Sequence, residues 1–151
     1  MKYFAMKEFE CKDGCQMPSE VRANIVALVE AVLDPVREKL GMPVRVNSGY
    51  RCPKHNLKVG GASSSQHMRG EAADVRPVQG SQDSQARMSD KVEAGFTVQD
   101  LARVIVANGR WDQMILYPTF VHVSWKRNGA NRHQVLRKTA SGYQRVEARS
   151  I

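Results

Sequence analysis

The 151-residue chain reads as a small α+β domain, a mainly antiparallel sheet packed against helices. Three observations predict this. Apolar residues recur at helical spacing in two stretches, one near the N-terminus and one around residue 100. Short alternating runs between and after them have the period of strands. Two of those runs are separated by little more than Pro118 and Thr119, the spacing of a hairpin.

The first helix is expected from Ser19, which can cap it, through Val21, Ile25, Leu28, Val29, Val32, Leu33, Val36 and Leu40. Gly41 ends it and Pro43 prevents continuation, while Pro35 should kink or interrupt it. Val44 to Asn47 alternates as a short strand. Ser48 to Ser65 is rich in Gly, Ser, Lys and Pro and reads as a long irregular loop, a kind that is usually functional or disordered. Ala72 to Val75 is a second strand. Gln79 to Ala94 is polar without an apolar stripe, hence a surface excursion expected to border any groove. Thr97 caps a second helix ending at Gly109, with Val98, Leu101, Ala102, Ile105 and Val106 on one face. Gln113 to Tyr117 and Phe120 to Trp125 form the hairpin, whose turn sets Ile115 opposite His122. Weak alternation at Gln134 to Leu136 and Tyr143 to Val146 leaves two readings of the tail, an edge strand or a mobile end.

This length accommodates one domain, residues 1–151, with its core at about 9–125 and a basic extension over 126–151. A domain of this size buries roughly two-thirds of its unfolded surface, so neither metal nor disulfide is needed merely to fold. With 42% apolar and 25% charged residues the composition is that of an ordinary globular protein. No apolar run approaches the ~20 residues of a membrane span, so no membrane insertion is expected. Met1 to Glu10 mixes aromatic and charged residues rather than placing an apolar run after a basic one. A cytoplasmic location as synthesised is therefore expected, unless another system exports or releases the protein. A monomer is expected.

The net charge of +8 gathers late, at Lys126, Arg127, Arg132, Arg137, Lys138, Arg145 and Arg149. It suits a polyanionic partner, such as nucleic acid, an anionic membrane surface or an acidic cell wall, and equally a solubilising surface. Specific nucleic-acid recognition is not expected, since helix-turn-helix and paired-finger patterns are missing and only 7% of residues are aromatic. Cys11, Cys15 and Cys52 are few and odd in number, which argues against a disulfide framework and fits a reducing compartment. Cys11 and Cys15 could clip a metal with a third ligand, or simply pack.

Chemistry concentrates in Ser48-Gly49-Tyr50-Arg51, in Ser65-Gln66-His67-Met68-Arg69-Gly70-Glu71-Ala72-Ala73-Asp74, and in Phe120-Val121-His122-Val123-Ser124. His122 alternates with two valines and so points away from their face. Asp74 lies in a strand expected to be buried, where a carboxylate is costly unless paired or bound to a cation. Each alone has an ordinary structural explanation. Together, two imidazoles and one carboxylate are a set that catalytic zinc uses while keeping a position open for water.

The Ser-Gly-Tyr-Arg step, the Ser-x-His-x6-Asp motif with its internal Gly70, and the Phe-Val-His-Val-Ser strand resemble the M15 metallopeptidase family over roughly Phe9 to Trp125. That family comprises zinc D-Ala-D-Ala carboxypeptidases, murein endopeptidases and phage endolysin domains. The resemblance implies a small α+β fold and one catalytic zinc held by His67, Asp74 and His122. It implies hydrolysis of a peptide bond in peptidoglycan, with an anionic wall polymer as a further partner and a phage-type pore (a holin) as a route of release. It also implies that Arg51 faces the site, to hold a carboxylate or a developing oxyanion, the alternative being a pairing with a loop carboxylate. Ser65 would bind substrate or fix its loop.

The general base departs from the pattern. Many members carry an acid three residues before the last histidine; that position is Thr119. Related sequences with a shorter hairpin place the acid at the end of the preceding strand; that position is Tyr117, which would serve in substrate binding. Asp112, at the start of the strand, is the candidate base, with a structural capping role as the alternative, and Glu71 is a poorer choice. The runner-up function is accordingly a zinc-containing wall-binding module with little or no activity.

Overall fold

The computed structural model describes residues 1–78 and 97–151. The expected excursion Gln79–Ala94 lies outside the described residues. The architecture is α+β, with a six-stranded sheet in the order β1-β2-β4-β3-β5-β6. The strands are β1 (Val44–Ser48), β2 (Ala72–Pro77), β3 (Gln113–Leu116), β4 (Val121–Ser124), β5 (Gln134–Thr139) and β6 (Gly142–Val146). All neighbours pair antiparallel except β3 and β5, which are parallel. The weak alternation of the tail is thus a paired hairpin, β5–β6, and resolves the choice left open there.

The N-terminal helical run is continuous in direction but not in type. It consists of α1 (Ser19–Leu28), a π-turn (Val29–Leu33) and α2 (Asp34–Leu40), ending at Gly41 in the left-handed region. Pro35 has no N–H for the carbonyl of Ala31, and the π-turn precedes it. That carbonyl accepts instead from Asn108 Nδ2 at 3.1 Å, which ties the kink to the end of the next long helix. Ser19 is the first helical residue rather than the cap; Pro18 holds the cap position and no side chain caps there. In α4 (Val98–Asn108) the expected cap is found: Thr97 and Asp100 form a reciprocal capping box, and Gly109 closes the helix.

The stretch 48–65 is less irregular than expected, because α3 (Pro53–Lys58) forms within it. Proline at the first helical position has its angle preset and loses no helical hydrogen bond. Near it the cysteines correct another expectation, since Cys15 and Cys52 are joined by a disulfide, with Cα atoms 6.3 Å apart. Cys11 remains free and buried.

The long helices α1, α2 and α4 cover one face of the sheet. Ile25, Leu28, Val29, Val32, Leu101, Ala102 and Ile105 from the helices, and Ala73, Val75, Met114, Val121 and Val123 from the strands, are fully buried together. Because successive strand residues point to opposite faces, the residues between them are delivered to the other face: Asp74, His122 and Ile115. The hydrophobic packing of one side thus places the polar residues of the other.

Gly70 couples the helical layer to the site. It has φ of 74°, and a Cβ there would lie 2.6 Å from the Val21 carbonyl oxygen of α1. Gly70→Ala is therefore expected to cost roughly 2–4 kcal/mol, the sum of a left-handed L-residue and an overpacked contact. A urea titration checks this, and an unchanged midpoint would refute the packing argument.

Candidate metal centre and active site

The centre is built across β2 and β4. Asp74 and His122 are directly opposite in the antiparallel ladder, and Ile115 is opposite His122 on the other side, the register the two-residue turn predicts. His67 arrives from a single 3₁₀ turn, Gln66–Arg69, whose first backbone N–H groups are met by Ser65: its Oγ accepts from His67 N at 3.2 Å. Ser65 is thus the loop-fixing cap at the edge of the cavity.

Asp74 Oδ1 is the meeting point, lying 2.9 Å from His122 Nδ1 and 3.2 Å from His67 Nε2. One ligand atom from each of the three residues lies within 4.8 Å of the others. His67 Nδ1 is 2.7 Å from the carbonyl oxygen of Gly49. A carbonyl can only accept, so Nδ1 carries the proton, and Nε2 of a neutral ring presents its lone pair to a carboxylate. Lone pair then faces lone pair at 3.2 Å, which requires a proton or a cation between them. An outer carbonyl that fixes the tautomer is also how metal-binding histidines are commonly oriented. The donor set and its orientation therefore fit a metal ion.

Electrostatics agree with that arrangement. Burial pushes the Asp74 carboxyl upward, but the ring nitrogens of His122 and His67 beside it outweigh burial and hold the group below the ordinary carboxylate range. Burial also lowers the His122 pKa against the opposing pull of Asp74. An ionised carboxylate beside a neutral imidazole is the protonation state that ligands need.

Arg51 leaves β1 through an irregularity in the β1–β2 register between Val46 and Ser48. Its Nη2 lies 3.4 Å from Asp74 Oδ2, its Nε donates to Ser48 Oγ at 3.2 Å, and its Nη1 donates to Asn56 Oδ1 at 3.4 Å. The guanidinium is held at the rim of a cavity of about 610 Å³ that contains all three candidate ligands. Tyr117 also lines it, stacked on Phe120 at 4.3 Å, with its hydroxyl 3.0 Å from that of Tyr143. Burial and the Tyr143 contact raise the Tyr117 pKa, so the phenol stays protonated.

Asp112 does not join this group. Its side chain has no exposure and does not line the cavity. Its carboxylate accepts from Arg132 N at 2.8 Å, Arg132 Nη2 at 2.8 Å, Gln66 Nε2 at 3.0 Å and Ser124 Oγ at 3.2 Å. A carboxylate so committed is turned away from the cavity, an arrangement that fits the structural role weighed as the alternative to a base. Glu71 pairs with Arg69 at 2.8 Å outside the cavity.

Residue-by-residue reading missed Tyr143, Lys126, Arg132 and Gln66, all of which line the cavity. The alternation at Tyr143 to Val146 was the available signal for Tyr143, and the place beside His67 in the Ser65-Gln66-His67 step was the signal for Gln66; Lys126 and Arg132 had none, since basic residues of a solvated extension look the same. Among the described lining residues Asp74 is the one carboxylate, beside the cations Arg51, Arg69, Lys126 and Arg132; of these Arg51 contacts it, while Arg69 pairs with Glu71 and Arg132 with Asp112.

An α+β domain carrying two imidazoles and a carboxylate on one sheet face, beside a guanidinium in an open cleft, has the makings of a metal-dependent hydrolase. The family comparison makes this specific. The Peptidase M15 family model matches residues 2–106, and the chain belongs to that family, which fits a peptidase. The matched stretch holds Arg51, His67 and Asp74; His122 lies beyond it and is brought in by the β2–β4 pairing. No curated protein matches the chain.

Proposed function

We propose that this protein is a zinc-dependent peptidase that hydrolyses a peptide bond in bacterial peptidoglycan, with His67, Asp74 and His122 holding the metal. The observation that carries the reading is the convergence of their ligand atoms within 4.8 Å in the cleft. Zinc bound there supplies Lewis-acid polarisation of a carbonyl and a water of lowered pKa.

The chain's own residues handle the substrate. Arg51, fixed by Ser48 and Asn56, is placed to bind a terminal carboxylate or a developing oxyanion. Arg69, Lys126 and Arg132 make the walls cationic, which suits stem peptides that carry carboxylates. Tyr117 and Phe120 offer an apolar wall, and the hydroxyls of Tyr117 and Tyr143 offer hydrogen-bonding groups. The basic tail of the sequence suits an anionic wall polymer. No helix among the described residues is long and apolar enough to cross a membrane.

One observation favours a second reading. Among the described residues no carboxylate besides Asp74 lines the cavity, so a general base of the usual kind has no candidate there. A metal-containing module that binds wall peptide without cutting it would look the same.

A muropeptide digest followed by mass, run beside elemental analysis of the same preparation, tests both. Bound zinc with a new cleavage product supports the peptidase and identifies its bond. Zinc with tight binding and no product favours the module. Absence of metal would sink both. Arg51→Ala is expected to keep its zinc and lose about 10²-fold in kcat/KM, the scale of losing one oxyanion donor.

A further inference from the structure

A second cluster of metal-ligating side chains brings together Cys11 and Cys15 from the N-terminal segment and Cys52, the residue after Arg51, with all three sulfurs within 4.8 Å of one another. We propose that these sulfurs form a second metal site, which takes a thiolate-seeking divalent cation of the zinc type and pins the N-terminal segment to the chain that carries Arg51.

The two arms of the site are built by backbone geometry. Gly14 N–H donates to the Cys11 carbonyl at 2.9 Å, and Gly14 takes φ of 74°, so the chain doubles back and returns Cys15 beside Cys11. Cys52 comes from the other arm, held in place where Tyr50 N–H donates to the Phe9 carbonyl at 2.8 Å. Cys11 Sγ lies 3.7 Å from Cys52 Sγ. Tetrahedral zinc with bonds of about 2.3 Å separates its thiolates by roughly 3.8 Å, so this pair already has that spacing.

The surroundings suit thiolate. The backbone N–H of Cys52 donates to Cys11 Sγ at 3.4 Å, and an amide aimed at sulfur is a common outer partner of metal-bound cysteine. Cys11 and Cys52 are 5% and 6% exposed, which shields a bound ion from solvent. Asp13, inside the Cys11–Cys15 turn, faces His55 Nδ1 at 3.4 Å, one helical turn beyond Cys52, so the corner is polar rather than oily. A disulfide uses two of the three sulfurs and gives no role to Cys11, which is turned onto Cys52.

Disulfide and metal are two states of the same sulfurs. A thiol reductant opens Cys15–Cys52: two reductant thiols give up two electrons and two protons, leave as their own disulfide, and free two cysteine thiols. A divalent cation then takes the three sulfurs as thiolates, and the three thiol protons pass to solvent. The fourth tetrahedral position is left for water or an added ligand.

The test uses full-length protein kept under thiol reductant and supplied with zinc, or with cobalt as a spectroscopic stand-in, for wild type, Cys11→Ser and His122→Ala. Wild type is expected to bind about two metals per chain and each variant about one. A thiolate-to-cobalt charge-transfer band should appear in wild type and in His122→Ala and be missing from Cys11→Ser. Thiol titration of folded wild type after reduction and zinc loading, with the reductant then removed without air, needs no variant to fold and should find three protected sulfurs that a chelator exposes. Three thiols that react at once with or without chelator, and no charge-transfer band, would overturn the proposal. Because His122→Ala reads the sulfur site alone, this outcome is separate from failure of the peptidase reading.

Discussion

His122→Ala is expected to lose the metal of the sheet-face centre and to reduce muropeptide cleavage by at least about 10³-fold. The magnitude follows from what the ion contributes: several kcal/mol of charge stabilisation, at tenfold in rate per ~1.4 kcal/mol. The side chain supplies Nδ1 at 2.9 Å from Asp74, and its removal leaves one imidazole and one carboxylate, too few donors to hold a catalytic ion tightly. The fold should survive, because His122 projects from the face opposite the buried Val121 and Val123. His133→Ala is the control, since that histidine is exposed and packs on Trp111. Elemental analysis and the digest read the result. Undiminished zinc at the sheet-face centre in His122→Ala, judged by metal content without reductant, would show that the ligand set is wrong.

Asp112→Ala is expected to destabilise the fold by about 3–5 kcal/mol, the usual cost of removing one partner from a buried ionic network. The carboxylate has no exposure and joins three segments: Gln66 beside the His67 turn, Ser124 at the end of β4, and Arg132 in the connection to β5. Without it the Gln66 amide and the Arg132 N–H lose their acceptor. For a chain of this length the loss is expected to lower Tm by roughly 10 °C or more. What variant remains folded at low temperature should keep its metal and most of its turnover. A folded, metal-loaded Asp112→Ala with no loss of Tm and no activity would instead revive the catalytic role.

The same network gives a pH dependence with a definite sign. Burial raises the Asp112 carboxyl, but the Arg132 and Gln66 hydrogen bonds outweigh it, so its pKa lies below the ordinary carboxylate range. A folded-state pKa below the unfolded one means that the stabilisation is fully present above the unfolded value of ~3.9 and is lost as pH falls towards the folded one. Acid unfolding of wild type should therefore steepen below about pH 4, and Asp112→Ala should lack that component.

The local elements were legible because their causes are local. Thr97 with Asp100 and Gly109 bound α4 through hydrogen bonds to the nearest backbone groups. The two residues between Tyr117 and Phe120 set the register that puts Ile115 opposite His122. Alternation between valines set the direction of His122, and the cost of a carboxylate in a buried strand marked Asp74. Errors were local too: Ser19 looks like a cap but follows Pro18, and α3 was hidden in a stretch whose composition resembles a loop.

Sequence alone thus determined the two long helical stretches, the hairpin and the residue types able to hold a metal, since periodicity, caps and turn length act over a few residues. Tertiary structure alone decided that Asp74 pairs across β2–β4 with His122, 48 residues away. It also decided that β5 runs parallel to β3, bringing Arg132 and Tyr143 to the cleft, and that Asp112 turns inward to Arg132. It gathered Cys11 and Cys15 onto Cys52 as well. The physical reason is common to all four: each depends on which apolar faces are buried together and which strands then become neighbours, and residue spacing along the chain carries no record of that closure.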